Sequence, residues 1–181
     1  QLVKHHGAYQ QENRDERAAA RKAGESGKMH SFMVRTKVPG GKLTSRQLLA
    51  ELDLCDELGN TTLRLTSRQA LQLHGVLKQN LREAIRRINQ VQLTTLAACG
   101  DVQRNVMGCP APYRHPIYQQ VQELVDALAQ HFTPRTPAYH ELWIQDPDTG
   151  ERQLAGGLSE DEIEPIYGKV YLPRKFKMAV G

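Results

Sequence analysis

The run LRLTSRQALQLHG, residues 63–75, decides how this chain is read. In an extended strand alternate side chains share a face. Leu63 and Leu65 therefore point one way while Arg64, Thr66 and Arg68 point the other. After a small step at Gln69-Ala70 the alternation resumes, with Leu71 and Leu73 against Gln72 and His74. One face is apolar and the other reads as an anion receptor. Arginine's planar fork of donors suits carboxylates and oxyanions, and same-face neighbours stand roughly 6–7 Å apart, a spacing that could hold a ligand with several carboxylates. Spacing alone is met as well by a plainer arrangement, a half-exposed strand with solvated arginines.

The flanking sequence supplies the rest of a domain. Residues 30–38, HSFMVRTKV, form a strand with Arg35 and Lys37 on one face, ended by the turn-forming Pro39-Gly40-Gly41. Thr44 followed three residues later by Gln47 makes a capping box. Leu48, Leu49, Leu52, Leu54, Cys55 and Leu58 then give a helical apolar period that Gly59-Asn60 closes. A second amphipathic helix spans residues 79–90, with Leu81, Ala84, Ile85 and Ile88 opposite Arg82, Glu83, Arg86 and Arg87. Residues 93–96 are read as a short last strand. The order strand, helix, strand, strand, helix, strand is that of an α+β, ferredoxin-like sandwich, a layer of helices on one face of an antiparallel sheet.

Residues 1–30 are polar and charged without the spacing of a packed helix. They are expected to form an arm that lies on other structure or frays, with helical stretches in 15–22 and with His5 and His6 solvated. Residues 99–112 are a loop with a short extended piece at 104–107. A third helix fits 115–132, where Ile117, Val121, Leu124, Val125 and Leu128 keep the apolar spacing. Residues 138–144 alternate as a strand, 146–150 turn, 151–166 make a polar excursion, and 167–180 return as a strand. In that strand Lys175 and Lys177 share a face with Phe176 turned away. On spacing alone, an edge strand guarded by lysines accounts for them.

Composition sets few limits. The 181 residues suffice for one ordinary domain or two small ones, and the formal charge of +4 is modest. The chain starts at Gln1 without an initiator methionine and is read as part of a longer protein. Three cysteines, Cys55, Cys99 and Cys109, have neither CxxC spacing nor an even count, which argues against a disulfide framework or a zinc site and for a reducing compartment. No apolar run approaches the ~20 residues that span a bilayer.

Four ordered motifs carry a resemblance: SFMVRTKVPGGKLT (31–44), LRLTSRQALQLHG (63–75), CGDVQRNVMGCPAP (99–112) and YLPRKFK (171–177). Together with QLVKHHGAYQQENRDER at the start, they resemble the amino-terminal half of the sirohaem-dependent sulfite reductases. The family usually has threonine and phenylalanine where this chain has Ala70 and Leu71. The resemblance implies an arm over 1–30, a ferredoxin-like half-domain over 31–98, and over 99–181 the start of an α/β sirohaem-binding domain.

It further implies that Arg35, Arg104, Lys175 and Lys177 converge on a small oxyanion, the lysines also delivering protons. Arg64, Thr66, Arg68, Gln72 and His74 would contact the carboxylate-rich periphery of sirohaem, with no metal ligand among them. The implied reaction is the six-electron reduction of sulfite to sulfide at a sirohaem coupled to a 4Fe-4S cluster whose cysteines lie in the carboxy-terminal half, so that this piece alone would be inactive. Fixed cations suit such a site, since a sulfite anion must be held beside a carboxylate-bearing macrocycle.

The expected partners are sulfite, the carboxy-terminal half of the enzyme and an electron donor, ferredoxin or a flavoprotein reductase. The CGDVQRNVM and VPGGKLT variants resemble the ferredoxin-dependent enzymes. The expected location is the cytoplasm, or the plastid stroma in a eukaryote. Sirohaem nitrite reductases share the architecture but usually have asparagine where sulfite enzymes have lysine, and Lys177 favours sulfite. A rival of another class is a small basic DNA- or RNA-binding module. Its sheet would need an aromatic platform that Arg64, Thr66 and Arg68 do not provide.

Overall fold

The computed structural model describes residues 2–12, 14–24, 30–135, 142–156, 165–168 and 172–181. Its centre is a four-stranded antiparallel sheet made of β1 (Ala8–Glu12), β2 (His30–Thr36), β3 (Leu63–Leu65) and β4 (Leu71–Val76), in the order β1-β2-β4-β3. A helical turn α1 (Leu2–His5) precedes the sheet, and α2 (Arg14–Lys22) lies between β1 and β2. Two longer helices, α3 (Ser45–Leu58) and α4 (Leu81–Gln90), complete the α+β sandwich.

Helix α3 begins where the capping box was expected: Gln47 N donates to Thr44 Oγ1 at 3.2 Å and Thr44 N to Gln47 Oε1 at 3.0 Å. Its buried face differs from the leucine stripe. Leu48, Leu49 and Leu52 are exposed, while Glu51, Leu54 and Cys55 are buried and Leu58 is packed behind them. Both stripes have helical spacing, and only the position of the sheet selects between them. The choice puts the Glu51 carboxyl in the core, where burial pushes its pKa up against the opposing influence of Thr36. Helix α4 buries Ala84 and Ile88 as read. The two helices and the sheet share one core around Val34, Leu54, Leu73, Val76 and Ile88.

The deciding stretch is a hairpin, not one bent strand. Thr66 N donates to Ala70 O, and the Thr66 hydroxyl accepts from Arg68 N and Ala70 N, while Gln69 takes a positive φ of 58°. The chain reverses over 66–70. Leu71 and Leu73 face the core, but Leu65 is 81% exposed, because the three-residue edge strand β3 runs past the cover of the helices.

The last strand of the sandwich is replaced. Residues 93–96 contribute one bridge, Lys37 to Thr94, and most of that edge of β2 pairs with β1 from the arm, in register from Ala8↔Val34 to Glu12↔His30. The arm thus lies on other structure as expected, but as a strand. His5, expected in solvent, is fully buried. Gly7 accounts for the tight approach: its φ is +78°, and a Cβ there would stand 2.5 Å from Thr95 O and 2.8 Å from Arg35 O.

Beyond the sandwich, α5 (Pro116–His131) packs Val125 and Ala129 against Val106, with His115 as its N-cap. Residues 101–107 and 172–180 lie side by side through parallel bridges Gln103↔Phe176 and Met107↔Ala179, without forming a regular strand. A hairpin of β5 (Leu142–Gln145) and β6 (Arg152–Gly156) turns at Asp146, so part of the stretch read as a polar excursion is a strand. The expected strand residues 138–141 and 169–171 lie outside the described residues.

Candidate anion site

The sheet face opposite the helices borders a cleft of about 620 Å³. β2 contributes Met33 and Arg35, β3 contributes Arg64, and β4 contributes Gln72 and His74. This is the polar parity of the alternating run. Arg35 and Gln72 are register partners across β2 and β4, and Arg64 and Gln72 across β3 and β4, so one amide stands between two guanidinium-bearing positions.

The hairpin turn adds Arg68, the 99–104 loop adds Cys99, Asp101 and Arg104, and the C-terminal segment adds Pro173, Arg174 and Lys175. That segment is held beside the loop by backbone pairing: Phe176 N donates to Val102 O at 3.1 Å and Arg104 N to Phe176 O at 2.9 Å. Lys175 is thereby brought onto the cleft that Arg104 lines, although the two are far apart in sequence.

Arg104 is 8% exposed, and its Nε donates to Gly100 O at 2.8 Å and its Nη1 to Ala98 O at 3.2 Å. Arg35 Nη1 reaches the same Ala98 carbonyl at 3.5 Å and the Cys99 sulfur at 3.2 Å. Burial lowers the Arg35 pKa from its ordinary value; the Cys99 thiol opposes this, and Arg68 and Arg104 reinforce it. Arg68 and Arg104 thus repel Arg35 across the cleft, a repulsion that an anion placed there would relieve. The His74 pKa is lowered as well, first by burial and then by the charges of Arg64 and Arg35, which favours the neutral ring.

The turn carrying Arg68 is clamped from behind. Asn105, buried, accepts from Val38 N at 2.9 Å and donates to Val38 O at 2.7 Å and Arg68 O at 2.8 Å. Gln69 exchanges two hydrogen bonds with the backbone of Gly108.

Seven of the nine residues expected at the site therefore line the cleft: Arg35, Arg64, Arg68, Gln72, His74, Arg104 and Lys175. Thr66 and Lys177 do not. Thr66 sits where the chain reverses and spends its hydroxyl on the turn. Lys177 is exposed beyond the Phe176 bridge.

Among the residues not anticipated are three from the arm: Lys4, Tyr9 and Gln11 line the cleft, with Lys4 Nζ 5.1 Å from the Tyr9 ring centre. The available signal was the two-residue spacing of Tyr9 and Gln11. Among the described residues no group of three or more His, Cys, Asp or Glu side chains could hold a metal ion, and all three cysteines are free.

Residues 25–91 match the nitrite/sulfite reductase ferredoxin-like half domain. Over 180 residues, 99% of this chain, the sequence is 45% identical to the sulfite reductase (NADPH) hemoprotein beta-component of Staphylococcus saprophyticus. This chain carries the ferredoxin-like half domain of the nitrite/sulfite reductases and is similar along its length to part of a sulfite reductase beta-component. It is also 47% identical to the corresponding beta-component of a Paenibacillus species and, across its whole length, 44% identical to the sulfite reductase (NADPH) subunit beta of Schizosaccharomyces pombe.

The chain spans 30% of the bacterial relatives' length and 12% of the fission-yeast protein's, less than the amino-terminal half read from the motifs. A solved structure, that of the Mycobacterium tuberculosis NirA protein, superposes with a TM-score of 0.62 over 98% of this chain and 27% of its own, at 22% identity, which speaks for the fold. The ferredoxin preference read from two motif variants finds no support: these sulfite reductase relatives carry NADPH in their names. None of the three is named for DNA. No helix among the described residues is long and apolar enough to cross a membrane.

Proposed function

We propose that this chain forms part of a sulfite reductase, supplying the cationic wall that binds sulfite and a share of the cradle for sirohaem. One observation carries the reading: Arg35, Arg68 and Arg104 share a cleft that Lys4, Arg64, Arg174 and Lys175 also line, against the single carboxylate of Asp101, and Arg68 and Arg104 both act electrostatically on Arg35. Seven cationic side chains and the Gln72 amide fit the periphery of a macrocycle bearing carboxylates together with a small bound oxyanion. Sirohaem, when bound, would supply the redox chemistry, working with a 4Fe-4S cluster in the six-electron reduction of sulfite to sulfide.

The chain's own residues have narrower tasks. Arg35 and Arg104 hold the oxyanion, their guanidinium groups fixed by the Ala98 carbonyl. Lys175, on the same cleft, donates protons to departing oxygens. Lys177 takes part only if the segment shifts. Arg64, Arg68 and Gln72 pair with peripheral carboxylates. Electrons come from an NADPH-dependent flavoprotein partner, in keeping with the relatives' names.

The test uses the longer protein with its carboxy-terminal part. Lys175→Met should leave sirohaem absorption in place and lower sulfite turnover about a hundredfold, the scale of lost general-acid catalysis. Unchanged turnover, or nitrite reduced in preference to sulfite by the unaltered protein, would sink the proposal.

A further inference from the structure

Strand β1 reaches into the cleft as well as closing the sheet. Gly7 O accepts from Arg35 N at 2.9 Å, so the arm fixes the Arg35 backbone. Four residues on, Gln11 Oε1 lies 3.1 Å from His74 Nδ1, and the Gln72 amide stands between His74 Nε2, at 3.3 Å, and the Arg35 guanidinium.

The polarity of this chain follows from its one unambiguous end. Arginine has only donors, so Gln72 must turn its oxygen toward Arg35, where it accepts from Nε at 3.0 Å and from Nη2. The Gln72 NH2 then faces His74 Nε2, which must present a lone pair. The imidazole proton therefore sits on Nδ1 and is donated to Gln11 Oε1. Turning the Gln72 amide over would set its NH2 donors against those of Arg35.

We propose that Gln11 is a positioning residue, which holds His74 as the Nδ1–H tautomer and, through Gln72, aims the Arg35 guanidinium at the anion in the cleft. The inference rests on the reading of the cleft as an anion site. The neutral ring is what the surroundings favour: the charges acting on His74 are those of Arg64 from β3 and Arg35 from β2, both cationic, and β1 contributes the uncharged Gln11. An imidazolium would donate from both nitrogens and force the Gln72 amide to turn its donors on Arg35.

The experiment uses the full-length protein free of cofactor and labelled with ¹⁵N at histidine, the His74 signals being those lost in His74→Gln. Unaltered protein should show a protonated Nδ1 and a bare Nε2. Gln11→Leu should remove that preference and weaken inorganic phosphate, the calorimetric probe, about fivefold, the scale of one net hydrogen bond. Gln11→Glu, nearly isosteric and so expected to fold, should raise the His74 pKa and move the His74-linked weakening of phosphate binding to higher pH than in the parent, beyond the change that the ionisation of phosphate itself gives both proteins. An Nε2–H tautomer in the parent, or Gln11 variants that leave both tautomer and phosphate affinity unchanged, would overturn the inference. A protein with the Nδ1–H tautomer and phosphate binding but no sulfite turnover would keep it and remove the sulfite reductase proposal instead.

Discussion

On one face of the sheet Val34, Leu73 and Val76 meet Leu54, Ala84 and Ile88 from two helices; on the other, Arg35, Gln72 and His74 meet the arm, a loop after residue 98 and the segment after residue 171. The first face is held by non-directional burial, and its partners are adjacent along the chain. The second is held by directed hydrogen bonds among charged and amide groups, and its partners are remote. The difference explains why stability and binding should separate by face. Burial contributes most where no water remains, whereas the cleft holds Arg68 and Arg104 against Arg35 in spite of their repulsion.

The largest expected effect tests the core. Leu73→Ala, at a fully buried position, should destabilise by about 3–5 kcal/mol in denaturant unfolding, while Leu65→Ala on the exposed edge of the same hairpin should stay within about 0.5 kcal/mol. Equal losses at the two positions would mean that the exposed edge is covered in the assembled protein.

Next is the clamp that joins the two faces. Asn105→Ala removes a buried amide serving Val38 and the Arg68 turn, and should cost about 2–3 kcal/mol. It should also weaken phosphate binding, because Arg68 is freed, whereas Leu73→Ala should weaken it only in step with unfolding. Binding left intact in folded Asn105→Ala would show that the turn holds its place without the clamp.

The smallest effect concerns Lys37, which continues the parity of Arg35 but ends buried, its ammonium reaching only Thr133 Oγ1 at 3.4 Å. Burial lowers its pKa from 10.5 to about 8. The unfolded chain then binds more protons than the folded one between those values, so stability should rise with pH from about 8 toward 10.5. Cys55 acts in the opposite sense: burial lifts its pKa from 9.0 to about 11, so its contribution falls as pH rises through that range. The parent should gain stability from pH 8 to 9 and level off above. Lys37→Met should be about 1–3 kcal/mol more stable at pH 7, lose the rise, and decline above pH 9. A parent curve flat from pH 8 to 9 would show the Lys37 ammonium to be solvated.

What could be read in advance follows the same division. The capping box at Thr44, the amphipathic period of α4 and the alternation of β4 are local signals, and each appears where residue spacing put it. Of the apolar period of α3, Leu54, Cys55 and Leu58 face the core and Leu48, Leu49 and Leu52 do not, because nothing local ranks the two stripes. The burial of His5 and the place of Gln11 on the cleft were hard to read for a different reason: beyond the spacing of Tyr9 and Gln11, a polar arm with few apolar residues has little periodicity to betray that a sheet edge awaits it.

From the sequence, then, came the sandwich and the polar face shared by Arg64, Gln72 and His74, because side-chain parity on a strand is a property of the backbone, while Arg104 and Lys175 were named only through the motif resemblance. Tertiary structure alone decided that Thr66 caps a turn, that Lys177 falls outside the cleft, and that the arm supplies β1 with Lys4, Tyr9 and Gln11. Those outcomes depend on where remote segments dock, and docking is set by the shape and unpaired hydrogen-bonding groups of a sheet edge that exists only once the chain has folded.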